Sequence, residues 1–257
     1  VNKVQYDYLD TQGRAAKTVT RIITIVDTTA PVISLVGVEP PVMLDQDDAS
    51  HSAYLESWNN TSDGGGNGFG EWRLTANANG GFAGFFIGDS TTGSADINTT
   101  GKSFGLFGNS NVDAAANADR SFVAPLTEGQ AFSIRLATNF RNGNKGIDLD
   151  NADGQSLWNF NIGKNAVSDE EDYSYADLAN QGQAISLGLE YEADSIFKIT
   201  VKQLAGSKVA ITITRTTAGK GIESPLLNRE FDLGTAIAGF GLYNAGTESG
   251  DANNLYA

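Results

Sequence analysis

The sequence predicts an all-β chain, a two-sheet antiparallel β-sandwich preceded by a β-hairpin, and three observations carry that prediction. Short apolar runs recur along the chain, each closed by Gly, Asn, Asp or Ser. Glycine is abundant, at 30 of 257 residues, whereas proline is rare, at 5. That is the profile of many strands joined by tight turns, in which Gly and Asn supply positive φ. No segment sustains a 3.6-residue period, except a brief stretch at 173–180 that reads as one or two helical turns.

The hairpin comes first. Val4, Tyr6 and Tyr8 alternate with Lys3, Gln5 and Asp7, Asp10 to Gly13 is a turn, and 15–27 is the return strand. Alternation ends at Asp27-Thr28-Thr29-Ala30-Pro31, where proline fixes φ and removes a ladder donor. Pro40-Pro41 and the acidic run Asp45-Gln46-Asp47-Asp48 read as a linker. The predicted organisation is therefore terminal strands over 1–36, a linker over 37–49 and a sandwich over 50–257. Within the sandwich the apolar runs fall at 81–87, 103–107, 131–137, 146–149, 157–162, 184–189, 196–203, 209–215 and 236–243. So many short strands with hardly any helix suit a jelly-roll or concanavalin-like arrangement.

Composition narrows the function. The formal charge of −14 repels nucleic acid and anionic lipid and attracts divalent cations, and the few basic residues form no patch. No apolar run approaches the ~20 residues needed to span a bilayer. The absence of cysteine excludes a disulfide framework and thiolate chemistry. The opening residues read as mid-strand, so the chain is expected to be a fragment or a processed piece.

Several constellations invite chemistry. Gly88-Asp89-Ser90 imitates an esterase block, but the single histidine, His51, lies upstream of the serine, so a turn is the better reading. Glu190, Glu192 and Asp194 would share one strand face, yet their spacing does not match a glucanase carboxylate pair. No catalytic residue is predicted, and the chain is expected not to be an enzyme. Asp148, Asp150 and Asp153 precede Gly154 in an oxygen-rich stretch that suits calcium, with Asp45, Asp47 and Asp48 second; a plain hairpin turn over the Asn-Ala-Asp-Gly stretch is the alternative. Sugar recognition needs an aromatic platform and hydroxyl partners. Trp58, beside a Gly/Asn/Ser loop, is the platform candidate, while Trp72 and Trp158 read as core. Asn139, Arg141, Asn142 and Asn144 form an amide-rich loop fit for hydroxyls or carboxylates, or equally a hairpin with an Asn-Gly turn.

Two resemblances add to this reading. The stretch KTVTRIITIVDTTAPVISL, residues 17–35, resembles the seam between bacterial extracellular immunoglobulin-like repeats, which makes the N-terminal hairpin the partial end of such a bead. Residues 58–72, with Trp58, Asn59 and Gly68-Phe69-Gly70-Glu71-Trp72, resemble the opening of an uncharacterised bacterial extracellular β-sandwich family. That resemblance continues through 80–91, 101–109 (where Gly108 replaces the usual Ala) and 120–134, and covers roughly 50–215. It implies a secreted or cell-surface location and the sandwich fold, and transfers no catalytic assignment.

The function expected is a non-catalytic carbohydrate-binding or adhesive module, secreted or on a bacterial surface, whose partner is a polysaccharide or cell-surface glycan. The alternative is a structural subunit of a filament, sheath or surface layer, self-assembling through residues 1–30 by strand complementation, because those strands cannot bury both faces alone.

Overall fold

A computed structural model describes residues 2–6, 9–15, 19–23, 46–62, 68–109, 113–163, 172–218, 220–222 and 225–257. The chain divides into two compact units, Val1–Pro40 and Pro41–Ala257. In the first, β1 (Asn2–Tyr6) pairs antiparallel with β2 (Val19–Ile23). The expected turn is present: the Asp10 carboxylate accepts the amides of Gln12 and Arg14, and Gly13 takes a positive φ of 75°. The seam at 24–36 and the prolines of the linker lie outside the described residues.

The second unit is a β-sandwich of two antiparallel sheets, as the apolar runs predicted. One sheet is seven-stranded. In spatial order it contains β11 (Ile185–Glu190), β10 (Asp172–Asp177), β9 (Ser156–Asn161), β8 (Asn144–Asp150), β16 (Gly239–Ala245), β6 (Ala115–Phe122) and β3 (Phe69–Asn77). The other runs β14 (Gly221–Ile222), β13 (Lys208–Thr217), β12 (Ser195–Gln203), β7 (Ala131–Thr138), β17 (Leu255–Tyr256), β5 (Ser103–Asn109) and β4 (Phe82–Gly88), with β15 (Leu227–Asp232) also on β13. The chain crosses between sheets at β3–β4, β5–β6, β6–β7, β7–β8, β11–β12, β15–β16 and β16–β17, so the central strands of both layers are non-consecutive in sequence.

Period-2 alternation builds the core. On β12, Phe197, Ile199 and Val201 point inward; on β13, Val209, Ile211 and Ile213 do the same. Aromatic clusters fill the space between layers. Phe69, Phe122, Phe132 and Phe240 form one, and Trp158, Tyr175 and Phe231 another. Two expectations change here. The stretch at 173–180 is a strand, β10, followed by a 3-10 turn at Leu178–Asn180, because Tyr173 and Tyr175 bury themselves with a period of two. The sandwich also begins inside the expected linker: Ala49 is buried, and Asp47 forms an ion pair with Arg120 inside the protein.

Candidate functional site

Trp58 is not a platform. It is 6% exposed, with ring centroids 4.7 Å from Phe104 and 5.0 Å from Trp72. A large aromatic at the start of a sandwich has more surface to bury than a polar loop can keep open, and here the core takes it.

The amide-rich loop is a crossover rather than a hairpin, since β7 and β8 belong to different sheets. It is tied down from several sides. The Phe140 amide donates to the Ala252 carbonyl at 2.8 Å, and the buried Lys145 ammonium donates to the carbonyls of Phe140 and Asn253 at 2.7 and 2.8 Å. The Asn139 carbonyl accepts the Tyr191 hydroxyl, Arg141 reaches the Gly163 carbonyl, and Asn144 accepts from Asn161. Asn142 is half-buried. Asn139 alone of these four lines the shallow cleft that Asp96, Asp194, Thr216 and Thr217 help to form.

The other motifs resolve similarly. Ser90 is fully buried and its hydroxyl accepts the Ile97 amide, while Asp89 caps the 3-10 turn that starts there. His51 caps a different 3-10 turn through Nδ1. The strand carrying Glu190 ends at that residue; Glu192 pairs with Lys220, and Asp194 sits in a turn with a φ of 52°. The three carboxylates therefore do not share a strand face.

The residues expected to bind calcium separate. Asn151 builds the β8–β9 hairpin, its side chain accepting the amides of Asp153 and Gln155 at 2.9 Å each, and Gly154 supplies a φ of 74°. Asp153 is left exposed at the tip, whereas Asp148 and Asp150 lie along β8 on the outer face of the sheet. Asp47 is engaged by Arg120 and the Tyr54 hydroxyl, and Asp48 accepts from Ser50. Among the described residues, no group of three or more His, Cys, Asp or Glu side chains is placed to hold a metal ion.

What the fold does bring together is a polar row across the outer face of the seven-stranded sheet. Register aligns Arg73 of β3, Asp119 of β6, Gly241 of β16, Asp148 of β8 and Asn159 of β9 side by side. Gly241 floors the row. A Cβ there would stand 2.7 Å from Asp119 Oδ1 and 3.7 Å from Asp150 Oδ2, so glycine lets carboxylates from two different strands converge. Arg73 donates twice to Asp119 Oδ2, at 3.2 and 2.9 Å. Asp148 Oδ1 accepts from the Ser156 hydroxyl at 2.8 Å and from Asn159 Nδ2 at 3.0 Å. Tyr243 puts an aromatic ring on the same face, and its hydroxyl accepts from Asn159 at 2.9 Å.

The electrostatics follow from crowding. Burial, then the charges of Asp148 and Asp119, push the Asp150 carboxyl up to about 6. Burial also raises Asp148, against the hydrogen bonds from Ser156 and Asn159 that favour its charged form. Burial raises Tyr243, with the Asp148 charge adding to it. Asp148 and Asp150 were visible as a motif in the sequence, but Arg73, Asp119, Asn159 and Gly241 were not. They come from four other strands, and the alternation of outward polar residues that each displays is shared by every solvated strand face. No protein-family model matches the chain, and no curated protein is similar to it.

Proposed function

We propose that the sandwich is a non-catalytic carbohydrate-binding module of an extracellular bacterial protein, and that its ligand lies across the Arg73–Asp119–Gly241–Asp148–Asn159 row. The observation that carries this reading is the glycine-floored convergence of Asp119 and Asp150 beside Asp148 on a solvent-facing sheet. Carboxylates and amides in a line accept and donate to vicinal hydroxyls, and rigid strands hold them in place. Tyr243 offers a ring against which a sugar's C–H face can rest. The resemblance to a bacterial extracellular sandwich family points the same way.

The test is a glycan array on the intact chain and on Gly241→Ala. The added methyl meets side-chain carboxylates and no backbone, crowding Asp119 Oδ1 at 2.7 Å and touching Asp150 Oδ2 at an ordinary 3.7 Å, so the strand survives while the Asp119 carboxylate is displaced. Binding to at least one glycan class is expected, weakened about tenfold or more in the variant, which corresponds to about 1.4 kcal/mol. Circular dichroism should be unchanged. An array without hits, or a variant that binds as well as the parent, rejects the proposal. Repeating the array with calcium and with chelator separates a sugar bridged by the ion from one held by side chains alone.

A further inference from the structure

β4 ends the eight-stranded sheet, with β5 as its ladder partner. Among the described residues, no backbone hydrogen bond joins Phe82–Gly88 to anything on its other side. A row of open N–H and C=O groups is a template for another strand, and sheets ordinarily blunt it with charge, proline or a bulge. The other long edges of the sandwich are blunted. β3 carries Glu71 and Arg73 and gives its Trp72 amide to the Ser62 carbonyl. β11 carries Glu190 and a glycine, Gly188, at a φ of 67°. β15 carries Arg229, Glu230 and Asp232. β4 reads Phe-Ala-Gly-Phe-Phe-Ile-Gly, without charge or proline, and pairs with β5 without a shift of register.

Its outer face is flat and aromatic. Phe85 and Ile87 pack on the main core, whereas Phe86 packs with Ile97 and Tyr256 on the opposite face. Phe82, Gly84 and Phe86 therefore share the outer face. Glycines keep that face low. A Cβ at Gly105 would stand 2.2 Å from Phe86 Cζ, and one at Gly84 would stand 2.9 Å from Phe107 Cζ, so each ring lies across a glycine of the neighbouring strand. Phe82, at the end of the row, is 73% exposed. The outer face of the strand thus runs Phe-Gly-Phe, the same in either direction about Gly84.

We propose that β4 is a dimerisation edge, on which a second copy of this chain pairs antiparallel about a two-fold axis through Gly84. That register sets Phe82 opposite the second copy's Phe86, and Phe86 opposite its Phe82, with the two glycines facing each other on the axis. Residues directly opposite in such a ladder have Cβ atoms about 4.5–5.5 Å apart, and aromatic pairs there are favourable. An axis at Phe85 would instead set Phe82 against Gly88 and Phe86 against Gly84, so the aromatic pattern specifies the register. Any strand could satisfy the open backbone, but a face that reads alike in both directions selects its own copy. The contact is isologous and uses the same edge of both molecules, so assembly stops at two. The strand brings no charge to the contact, whereas each whole chain carries a formal −14, so repulsion between copies opposes association and salt relieves it.

The test is sedimentation velocity of the intact chain over a concentration series in high salt. A monomer–dimer equilibrium is expected. Phe82→Lys changes an exposed position, so its circular dichroism should match the parent, while its dimer should be weaker by about tenfold or more. Ile222→Lys, at a residue 80% exposed on β14, should dimerise as the parent does. Gly84→Cys puts one thiol on the axis of a chain that has no cysteine, and its Cβ meets the far end of the Phe107 side chain rather than backbone. Opposed Cβ atoms at that spacing suit a disulfide, so oxidation should join two copies faster than it joins Ile222→Cys. A parent that stays monomeric at every concentration overturns the proposal, as does Gly84→Cys crosslinking no faster than Ile222→Cys. Association that Phe82→Lys leaves intact also overturns it, since another surface would then carry the contact.

Discussion

Asp119 and Arg120 are neighbours on β6, yet they face opposite sides of the sheet and enter ion pairs of opposite character. Outside, Asp119 meets Arg73, whose side chain is 71% exposed. Inside, Arg120 meets Asp47, and the two side chains are 1% and 5% exposed. The inner guanidinium also lies 4.8 Å over the Phe69 ring and 4.9 Å over Trp72, and donates to the Gly70 carbonyl. The same charges do different work on the two faces. In water the outer pair is screened and mainly orients a carboxylate in the polar row. In the interior the inner pair lets two buried charges satisfy one another and fastens the segment entering the sandwich to β6.

Removing one inner partner is expected to have the largest effect. Arg120→Ala leaves the Asp47 carboxylate buried and uncompensated and should cost about 3–5 kcal/mol. For a domain of this size that lowers the melting temperature by roughly 6–20 °C. A loss no greater than that of an exposed substitution, measured by denaturant titration, would show that the pair is solvated after all.

Titration probes both faces at intermediate scale. Asp150 on the outer face has a folded-state pKa of about 6 against 3.8 in the free side chain. Between these values the folded state holds the proton more tightly, so Asp150 makes stability fall as pH rises from about 4 to about 6. Lys145, on the inner face of β8, is fully buried, and burial lowers it from 10.5 to about 7. Its charge opposes folding in full below pH 7, and that opposition is relieved as pH rises from about 7 toward 10.5. Melting temperature against pH should therefore dip between the two windows. Asp150→Asn should make the acid limb shallower, with Asp148, which burial also raises, supplying what remains, and should leave the alkaline limb; Lys145→Met should remove the alkaline limb and leave the acid one. A limb unchanged by its own substitution would disconnect that group from the slope.

The smallest effect belongs to the outer pair. Arg73→Ala should cost less than about 1 kcal/mol, with the difference fading in high salt. A salt-independent loss of several kcal/mol would place that pair in the same class as Arg120 and Asp47.

The sequence alone settled the all-β class, the hairpin at the start and the strands that carry large alternating side chains, such as β12 and β13. It also marked the Asn-Ala-Asp-Gly hairpin, because that turn is written in local chemistry: an Asn side chain that binds its own backbone, and a glycine at positive φ. It passed over β6, whose inward residues Ala116 and Ala118 are fully buried yet too small to stand out as an apolar run. Trp58 could be assigned to neither platform nor core from its neighbours in the chain, because burial depends on Trp72, Phe85 and Phe104 arriving from other strands. The polar row belongs to the tertiary structure entirely. It is a register between strands far apart in sequence, and a strand's own residues fix which side chains alternate but not which neighbours they meet. Asp119 facing water and Arg120 facing the core follows from that alternation. Only the packing of the two sheets decides that one side is a solvated row over Gly241 and the other an aromatic cluster of Phe69, Phe122 and Phe240 in the core.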